Sequence, residues 1–174
     1  MSWPEPAVQA RTGRAWLLVA LALFSALAGC GFHLRGDVSY AFPAVYVNAP
    51  ATSPIARELK RALEGGGTTV ADTAAAAPVT LYITAVADDK TVLSLTGGGR
   101  VQEYQLTKRV TFALRDAAGQ DWLPSAEIVI RRSYSFNESE VLARESEEAR
   151  LLKEMQTDAV QQILRRLQAA KKPS

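Results

Sequence analysis

The sequence has very few of the side chains that build catalytic and metal sites. Its 174 residues include one cysteine, Cys30, and one histidine, His33. A lone cysteine leaves no second thiol for a disulfide within the chain, and a zinc site needs several Cys or His ligands. His33 precedes the folded segment, so no Ser-His-Asp set has its base on the domain. We therefore expect no catalytic residues, no metal site, no cofactor and no enzymatic activity.

A charge excess is also missing after residue 29. The chain has 20 Lys and Arg and 18 Asp and Glu, and residues 1–29 hold Arg11, Arg14 and Glu5, which leaves 18 basic and 17 acidic side chains. A protein that binds nucleic acid in bulk normally shows a basic excess. We expect no nucleic-acid partner, although the balance leaves room for a local basic patch.

Long apolar runs are limited to one stretch, from Ala15 to Ala28. It is shorter than the roughly 20 apolar residues that a membrane-spanning helix needs. It follows Arg11 and Arg14 and ends in small residues, which is the pattern of a secretory signal peptide. The alternative, a buried cysteine at the end of a transmembrane helix, does not fit this length.

The signal ends in Leu27-Ala28-Gly29-Cys30, which resembles the bacterial lipobox. This resemblance implies removal of residues 1–29, an S-diacylglycerol group on Cys30 and an N-palmitoyl group on its new amino terminus. Two or more acyl chains give stable anchoring, since each buried CH₂ contributes about 0.8 kcal/mol. By resemblance to enterobacterial sorting rules, Gly31 in place of Asp favours the outer membrane over the inner one.

The 145 residues from Cys30 onward are enough for one domain with its own core. We expect a lipidated tether over 30–43, a domain over 44–170 and a short basic tail over 171–174. The first strand is predicted over 44–48, where β-branched and aromatic residues are concentrated. Ser53 and Pro54 predict the start of an amphipathic helix that ends at the glycine triplet 65–67. The segment 69–72 is a candidate short strand.

Three longer strands are predicted from apolar and polar alternation. The first runs from Val79 to Leu95 with a bend near Asp88-Asp89, and the other two are centred on Val110 and Ile130. Gly97-Gly98-Gly99-Arg100 lacks the lysine of a phosphate loop and does not open a helix, so it is interpreted as a hairpin tip. Alternation of this kind indicates a sheet with one face packed on the core and one face exposed to water, as is typical of antiparallel sheets.

A long helix is predicted from about Val141 to about Ala170, with acidic residues early and basic residues late, the order that the helix dipole favours. The elements together predict an α+β fold, with two helices packed on one face of a mostly antiparallel, mixed four-stranded sheet.

Four basic residues stand out on these elements. Lys108 and Arg132 occupy strand positions that the alternation assigns to the apolar face, where a charge is costly without water or a partner. Arg100 follows the glycine triplet, and Arg144 stands at the start of the last helix. Two interpretations remain open for such residues. In the first, these residues form ordinary surface ion pairs or extend their charged ends to the surface. In the second, they bind phosphate groups, for which the planar guanidinium of arginine is well suited.

Three stretches of the chain resemble one known family. They are Gly29-Cys30-Gly31-Phe32-His33-Leu34-Arg35, the strand entry Glu103-Tyr104-Gln105, and Lys153-Glu154-Met155 on the last helix. Together with element order and size, they look like the lipopolysaccharide-assembly lipoprotein family LptE. The resemblance implies two helices on a four-stranded sheet and no catalysis.

The resemblance also implies a partner, a ligand and a location. Members of that family are lipid-anchored at the outer membrane, facing the periplasm or lying inside a barrel lumen. They plug the LptD β-barrel, help it assemble, and bind lipopolysaccharide on its way to the cell surface. For this chain we expect the lipid A phosphates to contact Arg100 and Arg144 first, with Lys108 and Arg132 as the next pair. The alternative is a lipoprotein that scaffolds envelope proteins without binding lipid.

Overall fold

The computed structural model describes residues 40–50, 52–136 and 141–173, and for residues 141–144 it describes only the backbone. The strands are β1 (Ala44–Asn48), β2 (Thr69–Ala71), β3 (Val79–Leu95), β4 (Val101–Asp116) and β5 (Asp121–Ser135). The helices are α1 (Pro54–Gly65) and α2 (Val141–Ala169), and a short 3-10 turn spans Ala74–Ala76. The signal peptide and Cys30 lie outside the described residues.

The strands form one sheet in the order β2-β1-β3-β4-β5. β1 pairs in parallel with β2 and with β3, whereas β3, β4 and β5 pair antiparallel. The predicted α+β class is confirmed, but the predicted count of four strands is wrong. The fifth strand is β2, which has only three residues. Three residues are too few to show alternation, so only pairing with β1 establishes this segment as a strand.

The first helix begins and ends where its capping residues predict. The Ser53 hydroxyl oxygen accepts a hydrogen bond from the Ala56 N–H at 3.4 Å, and Pro54 occupies the first helical position. After the helix, Gly67 adopts a φ of +81°, which glycine tolerates without the strain of a Cβ. The buried face of α1 carries Ile55, Ala56, Leu59 and Leu63.

The core lies between the sheet and the two helices. Its largest fully buried side chains come from both layers and include Leu81, Leu106, Phe112, Leu114, Ile128, Met155, Ile163 and Leu167. Each such side chain contributes about 1.5–3 kcal/mol by leaving water. The helices also contact each other directly, because Glu58 of α1 accepts hydrogen bonds of 2.7 Å from both Gln156 and Thr157 of α2.

The register of β3 against β4 shifts first between Ile83 and Ala85, and two further shifts lie around Ser94 near the hairpin. Between them, Asp88 and Asp89 pair regularly with Lys108 and Thr107. The predicted bend near Asp88-Asp89 is therefore wrong. An extra residue in a strand reverses which side chains face the core. Beyond the shift, the helix-covered side of β3 carries Val86, Asp88, Lys90 and Val92, opposite Val110, Lys108, Leu106 and Tyr104 of β4.

The end of the predicted tether packs on the domain. Phe42 is 3% exposed, lies edge-on to Trp122 with 6.2 Å between ring centroids, and stacks on Tyr40 at 5.4 Å. The aromatic contact holds the entry to β1 against β5. Phe32 and Leu34, the other apolar tether residues, lie outside the described residues.

Candidate functional site

An ion pair links β3 and β4 beneath the helix layer. Lys108 and Asp88 are direct cross-strand partners, and the Lys108 Nζ lies 2.6 and 2.8 Å from the two Asp88 carboxylate oxygens. The Lys108 side chain is 5% exposed, whereas that of Asp88 is 44% exposed. Asp88 therefore neutralises a cation that would otherwise be buried without a counter-charge.

A second polar cluster joins β3 and β5 to the first half of α2. The Lys90 ammonium donates to Glu148 at 2.5 Å, and the Tyr134 hydroxyl donates to the same carboxylate oxygen at 2.6 Å. The Lys90 ammonium also lies 4.4 Å from the ring centroid of Tyr104 and 5.7 Å from that of Tyr134, within cation–π range.

This cluster shifts the titration of all three of its members. The hydrogen bond from Lys90, followed by that from Tyr134, lowers the pKa of Glu148. The hydrogen bond to Glu148 raises the pKa of Lys90, and burial raises the pKa of Tyr134. At neutral pH the cluster therefore holds a carboxylate, an ammonium and a neutral phenol.

Arg132 contacts α2 as well. Its guanidinium donates to the Asp158 carboxylate at 2.7 Å and to the Arg131 carbonyl at 3.1 Å, and both side chains of the pair are 46% exposed. The two cations that alternation assigned to the apolar face, Lys108 and Arg132, thus each have a carboxylate partner within the chain. The ion-pair interpretation accounts for both positions, with Lys108 inside the layer and Arg132 at its border.

The segments that carry Arg100 and Arg144 lie at the same end of the sheet. Arg100 closes the hairpin between β3 and β4, where its carbonyl accepts from the Thr96 N–H at 2.8 Å. On the neighbouring strand, the Phe136 N–H donates to the Gln102 carbonyl at 2.8 Å. Because Gln102 is only two residues from Arg100, the end of β5 lies close to the hairpin that carries Arg100. The helix α2 begins at position 141. Arg144 lies in the first turn of α2, and its side chain is outside the description.

Apolar side chains accompany Arg100 at this end. We call Leu95, Arg100, Val101 and Phe136, together with the helix turn that carries Arg144, the tip site. Leu95 is 56% exposed, and Val101 and Phe136 are half-buried. Phe136 lies edge-on to Tyr104 at 5.3 Å between centroids, which fixes its ring. The Arg100 side chain is exposed and has interactions within the chain. The tip site can offer both positive charge and apolar surface to an amphiphilic anion.

Sequence reasoning missed the partners of these cations. The sequence alone placed Asp88 at a bend and assigned no role to Lys90 or Glu148, because the register shift near residue 84 was not foreseen. Once that shift is known, alternation places Asp88 and Lys90 under α2. Among residues 40–50, 52–136 and 145–173, no group of three His, Cys, Asp or Glu side chains is arranged to hold a metal ion. None of the described helices is both long and apolar enough to cross a membrane.

Comparison with known proteins agrees with this architecture. The family model LptE, described as lipopolysaccharide-assembly, matches residues 42–167, which is most of the chain and nearly all of the folded domain. The chain belongs to the LptE family. It is a family of non-enzymatic lipopolysaccharide-assembly lipoproteins, which confirms that the chain is not an enzyme. A role in lipopolysaccharide transport follows from this membership.

Named relatives and solved structures extend the match. The LPS-assembly lipoprotein LptE of Photorhabdus laumondii is 29% identical over 161 residues, covering 87% of this chain and 83% of its own length. That of Yersinia pestis is 29% identical over 155 residues, covering 87% and 73%.

Lipoprotein B of Nitrosomonas europaea, solved by NMR, superimposes with a TM-score of 0.71 at 36% identity, covering 80% of this chain and 91% of that one. The crystal structure of rare lipoprotein B of Shewanella oneidensis shares the fold, with a TM-score of 0.65 at 24% identity and coverage of 72% and 94%.

Proposed function

We propose that this LptE-family protein is anchored to the outer membrane through lipidated Cys30 and plugs an LptD-like β-barrel that it helps to assemble. In this position it binds lipopolysaccharide during delivery to the cell surface. The proposal is supported by the tip site, where Arg100 lies at the same end of the sheet as the apolar residues Leu95, Val101 and Phe136. Lipid A combines phosphates with acyl chains, so its recognition needs both kinds of surface.

The opposite face of the sheet supports the barrel partner. On β4 this face carries Gln105, Arg109 and Thr111, and on β5 it carries Arg131 and Ser133, and these side chains are exposed or half-buried. The lumen of an outer-membrane barrel is polar. A polar sheet face with mixed charges is therefore a suitable surface to lie against a lumen wall.

A crosslinking experiment in cells tests the barrel partner. A photo-crosslinking amino acid replaces Arg109 in one variant and Arg131 in another, in the full lipoprotein. After illumination and detergent extraction, we expect both variants to trap one large outer-membrane β-barrel protein, identified by mass spectrometry. Trapping only inner-membrane or periplasmic proteins contradicts the plug proposal and favours the envelope scaffold. Unmodified protein, illuminated in the same way, is the control.

A further inference from the structure

One edge of the sheet is left open along the outer half of β3. β1 pairs with β3 only from Val79 to Tyr82, because β1 ends at Asn48. Beyond Tyr82, residues 84–93 pair with β4 on one side and, among the described residues, with no strand on the other. We call residues 84–93 the open edge. Its outward backbone N–H and C=O groups can pair with another strand, as the first part of β3 pairs with β1.

The exposed large apolar side chains of the described domain are concentrated here. They are Val86, Val92, Leu93 and Leu95, each 45–56% exposed, and the first three belong to the open edge. From Val86 to Leu93 the strand extends about 23 Å at 3.3 Å per residue. These apolar side chains lie at the two ends of this stretch, Val86 at one and Val92 and Leu93 at the other, with the charged residues 88–90 between them.

The charged residues of the open edge all form ion pairs within the chain. Asp88 binds Lys108 and Asp89 binds Arg109, both on β4, while Lys90 binds Glu148 on α2 and lies over Tyr104 of β4. The Thr84 hydroxyl likewise donates to the Thr111 carbonyl of β4 at 3.2 Å. Natural edge strands are usually protected by charged side chains that stay at the edge. Here all three charged side chains are partly exposed but engaged in ion pairs within the chain, so none of them is a free charge at the edge.

The two outer margins of the sheet, β2 and β5, carry features that oppose strand addition. β2, at one margin, is only three residues long, and short edge strands resist pairing. β5, at the other margin, carries Pro124, Glu127 and Arg131, all exposed or half-buried, and proline and charge both oppose strand addition. The open edge thus differs from both of these margins in carrying exposed large apolar side chains.

We propose that the open edge accepts an extended segment of the barrel partner as an added strand, continuing the row that β1 begins. This inference rests on the proposed function. A strand satisfies the free backbone groups, which acyl chains cannot do, and its side chains cover Val86, Val92 and Leu93. The strands of a closed barrel wall already pair with one another. The added segment is therefore a loop or terminal segment of the partner that reaches into the lumen.

Backbone hydrogen exchange tests this directly. The lipoprotein is compared alone and in its detergent-purified complex with the crosslinked barrel partner. We expect the edge-facing amides within residues 84–93 to exchange roughly tenfold or more slowly in the complex, because a paired amide exchanges only when its hydrogen bond opens. Contact through side chains alone leaves these amides unprotected and overturns the proposal. Protection caused by lipopolysaccharide without the barrel, or by raising the concentration of the free protein, assigns the edge to a lipid or a second copy and also overturns it.

A charge placed at the edge gives an independent measurement. Thr91 is exposed on the open edge, and Thr91→Lys adds the kind of free charge that natural edges use against pairing. Gln161→Lys adds the same charge at an exposed position on α2, away from both the open edge and the polar sheet face, and serves as the matched control. We expect Thr91→Lys to lose about tenfold in barrel capture, with the melting temperature and the Gln161→Lys capture near wild type.

Equal capture by Thr91→Lys and wild type overturns the strand-addition proposal while leaving the proposed function in place. If the wild-type lipoprotein captures no barrel at all, the proposed function fails, and the proposal about the edge fails with it. The two failures are thus distinguished by whether the wild-type complex forms.

Discussion

Lys108 and Asp88 stand directly opposite each other on adjacent antiparallel strands, with the Lys108 ammonium 2.6 and 2.8 Å from the two carboxylate oxygens. The lysine side chain is almost fully covered, whereas its partner reaches solvent. The pair therefore brings a positive charge under the helix layer and neutralises it there. Removing one partner from such a pair costs more than the pair itself contributes, because the other charge is left buried.

Asp88→Asn should lower the free energy of unfolding by about 2 kcal/mol, since it leaves the Lys108 ammonium without a counter-charge. Asp89→Asn is the matched control, because the neighbouring pair with Arg109 is exposed on both sides and surface pairs contribute about 0–1 kcal/mol. Urea unfolding of the two variants measures the difference. Adding Lys108→Met to Asp88→Asn should recover most of the loss. Equal destabilisation by Asp88→Asn and Asp89→Asn would show that the buried charge is not the cause.

Glu148→Gln should lower the stability at pH 7 by about 1 kcal/mol, because the amide keeps the shape of Glu148 but not its charge toward Lys90. Lys90 and Tyr134 lower the pKa of Glu148, so the stabilisation is present above the unfolded value of 4.5 and is lost as pH falls through the lower folded value. The variant and wild type should therefore differ at pH 7, and the difference should shrink as pH is lowered below 4.5. Denaturant unfolding over this pH range checks this, and a difference that stays constant on acidification would contradict it.

Cys30→Ser should abolish lipidation, because the thiol that receives the diacylglycerol is absent. Labelling cells with radioactive palmitate and immunoprecipitating the protein measures this, with wild type as the positive control. The variant should keep residues 1–29 and therefore migrate as the larger precursor. Its domain should still fold, since every described core residue follows Cys30. Label retained on the variant would defeat the lipobox interpretation.

Arg100→Glu combined with Arg144→Glu should weaken lipopolysaccharide binding, more at low salt than at high salt. Salt screens exposed charges, whose interactions reach only about 8 Å at physiological ionic strength. The two arginines therefore contribute less to binding at high salt, and reversing their charge has a smaller effect there. Lys171→Glu with Lys172→Glu makes the same charge change at the far end of α2 and is the control. Binding of the purified proteins to immobilised lipopolysaccharide gives the comparison.

Melting temperatures and barrel capture should stay near wild type in both double variants. If Arg100→Glu with Arg144→Glu binds lipopolysaccharide as well as wild type at low salt, the tip site is wrongly assigned. Lys108 and Arg132 are then the next pair to test. Since both already have carboxylate partners, their variants need the unfolding measurement alongside the binding one.

Local features of the chain predicted much of this fold. Ser53, Pro54 and the glycine triplet 65–67 fix the limits of α1 through capping and φ preference, which act within a few residues. The long apolar stripe of α2 and the alternation of β4 also depend on neighbours in sequence. For the same reason, the resemblance of residues 27–30 to a lipobox can be recognised from the sequence alone.

Other features required long-range pairing. The three residues of β2 have no periodicity to detect and become a strand only beside β1. The register shift between Ile83 and Ala85 has no clear local signal, yet it determines that Asp88 and Lys90 lie under α2.

The sequence by itself determined the capped helix α1, the alternating strands and the α+β class, because these follow from interactions between residues close along the chain. Only the tertiary structure decided which charges are partners: Lys108 with Asp88, Lys90 with Glu148, and Arg132 with Asp158. These partners are 20 to 58 residues apart in sequence, and a single extra residue in β3 reverses which side chains meet. The same register placed the three charges of residues 88–90 in ion pairs within the chain and left the outer half of β3 with no second neighbouring strand among the described residues.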